Sequence, residues 1–480
     1  MMAGRFDAAQ VLKERKKRGI ESMASSQVDV SAAIERQSLS SFLVGLVVIS
    51  WIITFFDGYD MNVIGYAAPY FAKEFDLTRV MIGNVFSAGT FGLMVGGFLF
   101  GYLGDRIGRR PAIIASTLLF GLITLLIALV KSYEWLLLLR FCVGIAAGGM
   151  LPLAWALNIE YAPRRYRATV VTLIMIGYSL GTALGGPIAN ALAPTYGWQA
   201  VFVVGGVLSL LSGCVLFFML PESIRFLASQ NRDPQVVART LRRVAPDTTI
   251  PANPQFVLAD EPGHSTSFRP SMLFEGDLRL ITPLLWIAYI FSSVAVYFLA
   301  TWTPLVFEAL HFTRADAAWT GTLVSITGAI GGLLLMRFTD NKGAIAVTVM
   351  PLVAMPLLIA TGFLDFGYGG LFVVMGLIGL FVVGAHFGMH TLAGMYYPSH
   401  YRANGAGWAT SVAKVGSIAG PWVAGIILST SLPVRNIFAI LAICPAVVMI
   451  CVFMIGRIHM RLLREEAAWK GAPSPAVPAQ

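Results

Sequence analysis

Charge is scarce in this chain: 12% of its 480 residues are charged and 57% are hydrophobic. That leaves too little polar surface to cover a soluble core, so a soluble single-core protein is excluded. Cysteine is scarcer still. Cys142, Cys214, Cys444 and Cys451 each lie in an apolar run without paired spacing, so neither a disulfide framework nor a cysteine metal site is expected. No nucleophile, metal-ligand or phosphate-loop constellation stands out, which argues against an enzyme and against a bound cofactor. Residues 1–40, with the run KERKKRG, lack an apolar core and a cleavage-like site, and read as a polar tail rather than a cleaved signal peptide.

What the chain does have is apolar runs about 20 residues long, each enough to cross a bilayer as a helix. Twelve are legible, at 42–67, 80–103, 111–130, 135–158, 168–193, 199–220, 281–307, 317–338, 345–363, 369–394, 404–430 and 434–456. The net charge of +9 would suit nucleic acid, but no such partner is expected, because the basic residues sit in particular loops. Arg106, Arg109, Arg110, Arg164, Arg165, Arg167, Arg337, Lys342, Arg402, Arg457, Arg461 and Arg464 fall on one side, whereas the loops on the other are short and nearly balanced. Basic loops mark the cytoplasmic face, so both termini are expected inside. The expected architecture is an all-α membrane protein of twelve transmembrane helices in two six-helix bundles. Its parts are a cytoplasmic tail 1–40, a bundle 41–220, a polar, Pro- and Arg-rich cytoplasmic linker 221–280, a second bundle 281–457 and a cytoplasmic tail 458–480.

The two bundles are copies. An offset of 235 residues carries GDRIG (104–108) onto TDNKG (339–343) and PRRYRA (163–168) onto PSHYRA (398–403), and GTALGGP (181–187) meets GSIAGP (416–421) with one slip. Duplicated helical halves with a site between them at mid-membrane are the design of one large class of secondary transporters, in which the halves rock to give alternating access.

GYLGDRIGRR (101–110) closes the second run. Gly101 and Gly108 allow close helix approach, while Asp105 can accept from backbone amides or pair with Arg109 or Arg110; with Arg106 this forms a latch that breaks and reforms as the halves rock. Its degenerate copy, RFTDNKG (337–343), carries Asp340.

DGYD (57–60) places two carboxylates inside the first run, and RFCVGIAAGG (140–149) places Arg140 inside the fourth. Counted along the helices, Asp57 and Arg140 both lie roughly 6 to 8 Å below the exterior face of a core about 30 Å thick. Asp57 and Asp60, three residues apart, share a face and can both look towards Arg140. A charge at that depth costs a few kcal/mol unless paired. Two carboxylates beside one guanidinium titrate as a coupled set, and the surplus acid suits a proton carrier better than a static tie. At the same offset Asp57, Asp60 and Arg140 correspond to Ser292, Ala295 and Met375, so coupling is expected to belong to the first half.

HFGMH (386–390) puts His386 and His390 on one face of the tenth run. Two ligands do not close a zinc site, and no Cys, Asp or Glu nearby completes one, so no metal is expected. Proton handling, hydrogen bonding to a polar substrate and plain packing all remain open for the pair. Lys414, near the middle of the eleventh run, either attracts an anion such as a carboxylate or pairs with an acid elsewhere. Tyr59, Trp286, Tyr289 and Trp408 stand on candidate cavity helices, and an aromatic wall beside a cation favours a flat, anionic substrate.

GYLGDRIGRR resembles the loop signature of the major facilitator superfamily, and the resemblance covers about 40 to 457. Within that superfamily DGYD, RFxxGxxxGG with Pro152, EYAPRRYRA (160–168) and YPSHYRANGAGWA (397–409) together resemble the aromatic acid:proton symporters. The resemblance implies the facilitator fold, a monomer in the bacterial inner membrane, and proton-coupled import of hydroxybenzoate- or protocatechuate-like acids for catabolism. It also implies that Asp57 and Asp60 are the family's first-span acids and Arg140 its fourth-span arginine. The chain departs from the family pattern at His386, His390 and Lys414, where Gln, Asn and Arg are usual. PESIRFL (221–227) resembles sugar porters instead, so a sugar or other organic-anion symporter is the alternative, ahead of a substrate sensor on the same fold.

Overall fold

Backbone amides in a bilayer find no water, so each apolar run must close its hydrogen bonds on itself as a helix. The computed structural model describes residues 27–37, 40–230, 234–246, 248–251, 254–258, 269–342, 344–397 and 402–471. The KERKKRG run and residues 398–401 of the repeated PSHYRA stretch lie outside them.

Among the described residues eleven helices are long and apolar enough to cross a bilayer, and a shorter apolar helix, within Ala344–Phe363, stands in the ninth place of the twelve expected. The first bundle comprises Ser41–Glu74, Arg79–Ile107, Arg109–Ile127, Tyr133–Tyr161, Arg167–Tyr196 and Trp198–Met219. The second comprises Leu278–Ala309, Arg314–Lys342, Ala344–Phe363, a tenth span built from Gly367–Ile378, Gly379–Val383 and Gly384–Tyr396, then Arg402–Leu428, and a twelfth from Asn436–Leu441 and Ile443–Gly471. Local chemistry sets the ends. Ser40 caps the first span by accepting from Leu43 N at 3.3 Å, and Thr78 caps the second through Met81 N at 3.3 Å. Gly108 (φ 109°) and Gly197 (φ 80°) take backbone angles closed to other residues and turn the chain between adjacent spans.

The duplication reaches into the packing. A methyl group placed on Gly181 would run into the carbonyl oxygen of Phe55, and one on Gly416 into that of Ile290. Adding 235 to the first pair gives the second. The first and fifth spans therefore touch backbone to backbone as the seventh and eleventh do, which small residues alone permit. We expect Gly181→Val to force these helices apart at a cost of about 1–3 kcal/mol, read as a lower thermal unfolding midpoint in detergent. Gly45→Val, where a side chain meets open space, should leave the midpoint unchanged.

Both halves also break regular geometry at matching places. The fourth span is interrupted at Gly148–Gly149, and the tenth carries a π-helical turn over Gly379–Val383, one residue before Gly384. The offset of 235 carries Gly149 onto Gly384.

The bundles meet through the halves of their spans away from the arginine-rich loops. Asn62 Nδ2 donates to Ser325 Oγ at 3.3 Å, Ser87 Oγ to the Ile418 carbonyl at 2.7 Å, and Thr322 Oγ1 to the Ala183 carbonyl at 2.6 Å. Phe86 packs edge-on against Trp302 at 5.4 Å. Toward the basic end His390 and Trp408 are exposed on helices that begin or end there.

The described parts of the segment between the bundles include helix and strand. Pro234–Val244 buries Val237, Leu241 and Val244 along one face. Gln27–Asp29, from the stretch read as a tail, pairs in parallel with Gln255–Val257.

Candidate functional site

Four ionisable side chains, Asp57, Asp60, Arg140 and Lys414, lie within the spans, and their pairing differs from the sequence expectation. Arg140 is held by Asp60: Nη1 donates to Oδ1 at 2.7 Å and Nη2 to Oδ2 at 3.1 Å, a bidentate pair with both residues buried. Gly89 on the second span makes room for the guanidinium, since a Cβ there would lie 3.1 Å from Nη2. Asp57 does not share the arginine. It is 7% exposed and has no hydrogen bond or ion pair with a described residue. A helix turns 100° per residue, so Asp57 and Asp60 sit about 60° apart, enough to separate their partners.

The charge facing Asp57 comes from the other bundle. Lys414 is half-buried, its ammonium makes no hydrogen bond or ion pair with a described residue, and it lies within electrostatic range of Asp57, His386 and His390. The Ser87–Ile418 hydrogen bond sets its height. Gly89 lies about 3 Å and Lys414 about 6 Å from that bond, both toward the basic end, so Lys414 is level with the Asp60–Arg140 pair. The expected surplus of acid is therefore corrected. Two carboxylates face two cations, and the second bundle contributes one of them.

Beside Lys414 the two histidines are oriented by hydroxyls. Ser292 Oγ lies 2.9 Å from His386 Nδ1, and Tyr289 Oη 3.3 Å from His390 Nδ1. The π turn just before Gly384 shifts the face that follows it, a device frequent at functional sites. Ser292 is the counterpart of Asp57 in the repeat, so corresponding positions of the two halves carry different polar groups. Among the described residues no group of three His, Cys, Asp or Glu side chains is placed to hold a metal ion.

Three expected site residues are placed elsewhere. Tyr59, about 200° around the helix from Asp57, points at the sixth span and donates to the Val201 carbonyl at 3.0 Å. Trp286 and Trp408 stack on each other at 6.2 Å, with Phe274 edge-on to Trp286 at 5.4 Å. Trp408 precedes Lys414 by six residues, about 9 Å nearer the basic end, so the aromatic wall does not stand beside the cation.

At the basic end Asp105 pairs with Arg109 at 2.5 Å, and Arg109 Nε reaches Glu160 at 3.3 Å. Glu160 accepts from Ser223 Oγ, while Glu222 accepts from Arg110 N at 3.1 Å. Arg110 Nη2 caps the Phe217 carbonyl at 2.5 Å, and Arg106 Nη1 donates to Tyr102 at 2.6 Å. A side chain on Gly108 would collide with Glu222. Gly101 is a correction, since a methyl there meets nothing within 4 Å and no close approach depends on it. Asp340 falls on the eighth span, and its side chain lies outside the described residues. Glu160, Glu222 and Ser223 were missed as latch residues although they stand in the quoted EYAPRRYRA and PESIRFL stretches. These contacts join the first bundle to the start of the linker around a cavity of about 400 Å³, which none of Asp57, Asp60, Arg140 and Lys414 lines.

The sequence profile of the Major Facilitator Superfamily matches residues 50–259 and 285–479. The 4-hydroxybenzoate transporter PcaK of Pseudomonas putida is 31% identical over 443 residues, 91% of this chain and 97% of that protein. The gallate transporter of Pseudomonas putida is 28% identical over 435 residues, 90% of this chain and 96% of that protein. The solved structure of the xylose transporter XylE from E. coli, in a partially occluded inward open conformation, aligns with a TM-score of 0.66 at 16% identity, over 86% of this chain and 98% of that one; the likeness is one of fold. With a profile match spanning both halves and a relative 31% identical along nearly its whole length, the chain belongs to the major facilitator superfamily, in its aromatic acid:proton symporter family, and is a multi-pass membrane transporter rather than an enzyme.

Proposed function

We propose that the protein imports an aromatic carboxylate, of hydroxybenzoate or protocatechuate type, together with protons across the bacterial inner membrane. One observation carries this reading: Asp60 is committed to Arg140, while Asp57 is buried with no hydrogen bond or ion pair to a described residue, in electrostatic range of a cation of the other bundle. A carboxylate in that position is the group free to load and release a proton as the bundles move. The names of relatives that carry 4-hydroxybenzoate and gallate support the substrate class.

Lys414, His386, His390 and Tyr289 form the substrate-facing group in this reading. Asp105, Arg106, Arg109, Arg110 and Gly108 brace the basic end, with Asp340 near the matching end of the eighth span. The arginine-rich loops support a cytoplasmic assignment for that end and for both termini. Contacts between the bundles at the opposite end then correspond to an inward-facing conformation. The working unit is a monomer.

Proteoliposomes with an alkaline interior should accumulate labelled 4-hydroxybenzoate and lose the accumulation when a protonophore collapses the gradient. Gradient-dependent uptake of a sugar, with none of any aromatic acid, would overturn the proposal.

A further inference from the structure

Asp57, Asp60, Arg140 and Lys414 sum to zero when all four are ionised, and the neighbouring Tyr178, Tyr297, His386 and His390 add no charge as neutral groups. A net charge inside a bilayer is costly, so a carrier that rocks does best when its site is neutral both empty and loaded. A carboxylate arriving alone would break that balance.

We infer that Lys414 is a shared counter-ion: it serves ionised Asp57 while the site is empty and passes to the substrate carboxylate on loading, whereupon Asp57 takes up one proton. This rests on the carboxylate-transport reading above. The geometry favours the exchange. Lys414 is held by no other described residue, sits level with the Asp60–Arg140 pair, and projects from the opposite bundle. Closure or separation of the halves thus changes its distance to Asp57.

The histidines complete the seat. Ser292 Oγ and Tyr289 Oη each lie within hydrogen-bond distance of a histidine Nδ1; in the tautomer in which the hydroxyls donate, His386 and His390 carry their protons on Nε2 and offer N–H groups to an anion bound at Lys414. Donors without an acceptor select a carboxylate over its neutral amide. The charge count is complete: one RCOO⁻ and one H⁺ enter, Asp57 becomes neutral, and the site stays at zero. Transport is then one proton per carboxylate and electroneutral.

The test uses the purified full-length protein in proteoliposomes with 4-hydroxybenzoate as the probe. A gradient of one pH unit should give about tenfold accumulation at zero potential. An inside-negative potassium diffusion potential without a pH gradient should give none, and solid-supported-membrane recordings should show no transport current. Potential-driven accumulation or a current would overturn the one-proton assignment. In Lys414→Gln the KM for 4-hydroxybenzoate should rise about 30- to 100-fold, while weak competition by 4-hydroxybenzamide stays within about threefold. An unchanged KM would overturn the counter-ion role yet leave the transport reading intact. Failure of wild-type protein to take up any aromatic acid would instead remove the transport reading, and this inference with it. A thermal midpoint for the variant checks that its fold is retained, and the potential measurement needs no variant.

Discussion

Asp57→Asn is expected to reduce accumulation of substrate against its gradient from about tenfold per pH unit to none, while exchange of internal for external substrate continues. Asparagine has nearly the shape of a protonated aspartate but never ionises, so the variant is held in the loaded protonation state. Lys414 then lacks its resting partner, and the empty carrier with an unbalanced ammonium is the form that cannot reorient. Exchange needs no empty reorientation and survives. The measurement compares counterflow with net uptake in the same proteoliposomes. Equal loss of both, with normal folding, would show instead that Asp57 acts in packing. Asp57 holds no described partner whose loss could unfold the protein, which is why a selective defect is expected.

Arg140→Leu should act through stability. Asp60 is 8% exposed and its two oxygens are taken by the guanidinium at 2.7 and 3.1 Å. Removing the arginine strands a buried carboxylate, at a cost of about 3–5 kcal/mol. The expected result is a sharp fall in folded yield and in the thermal midpoint. Replacing both members, Asp60→Leu with Arg140→Leu, should recover much of that midpoint, because no unpaired charge remains. If the single variant were as stable as wild type, the pair would have to be rearranging in the resting protein, and Asp60 would join Asp57 as a proton carrier.

Much of this architecture is legible in the chain because the bilayer acts on each residue separately. Apolar length dictates spans, basic loops mark one end, and the offset of 235 residues announces the duplication. The glycines at 181 and 416 were visible in the repeat, but that they press on Phe55 and Ile290 was not, since an offset says nothing of distance. In the same way Glu160 and Glu222 stood in quoted motifs without showing that they face Arg109 and Arg110. Those partners are 51 and 112 residues away along the chain.

Depth along a helix accumulates from the chain alone, residue by residue, and it put Asp57, Asp60, Arg140 and Lys414 in the membrane interior. Rotation about the helix axis is different. Only the neighbouring helices decide which face turns inward, and so they decide that Tyr59 meets Val201, that Trp286 and Trp408 stack away from the cation, and that Asp60 takes the arginine. The sequence by itself determined that costly charges are present within the spans. The tertiary structure decided their partners, because a counter-ion for Asp57 lies on a helix from the other half of the chain, beyond the reach of any local rule.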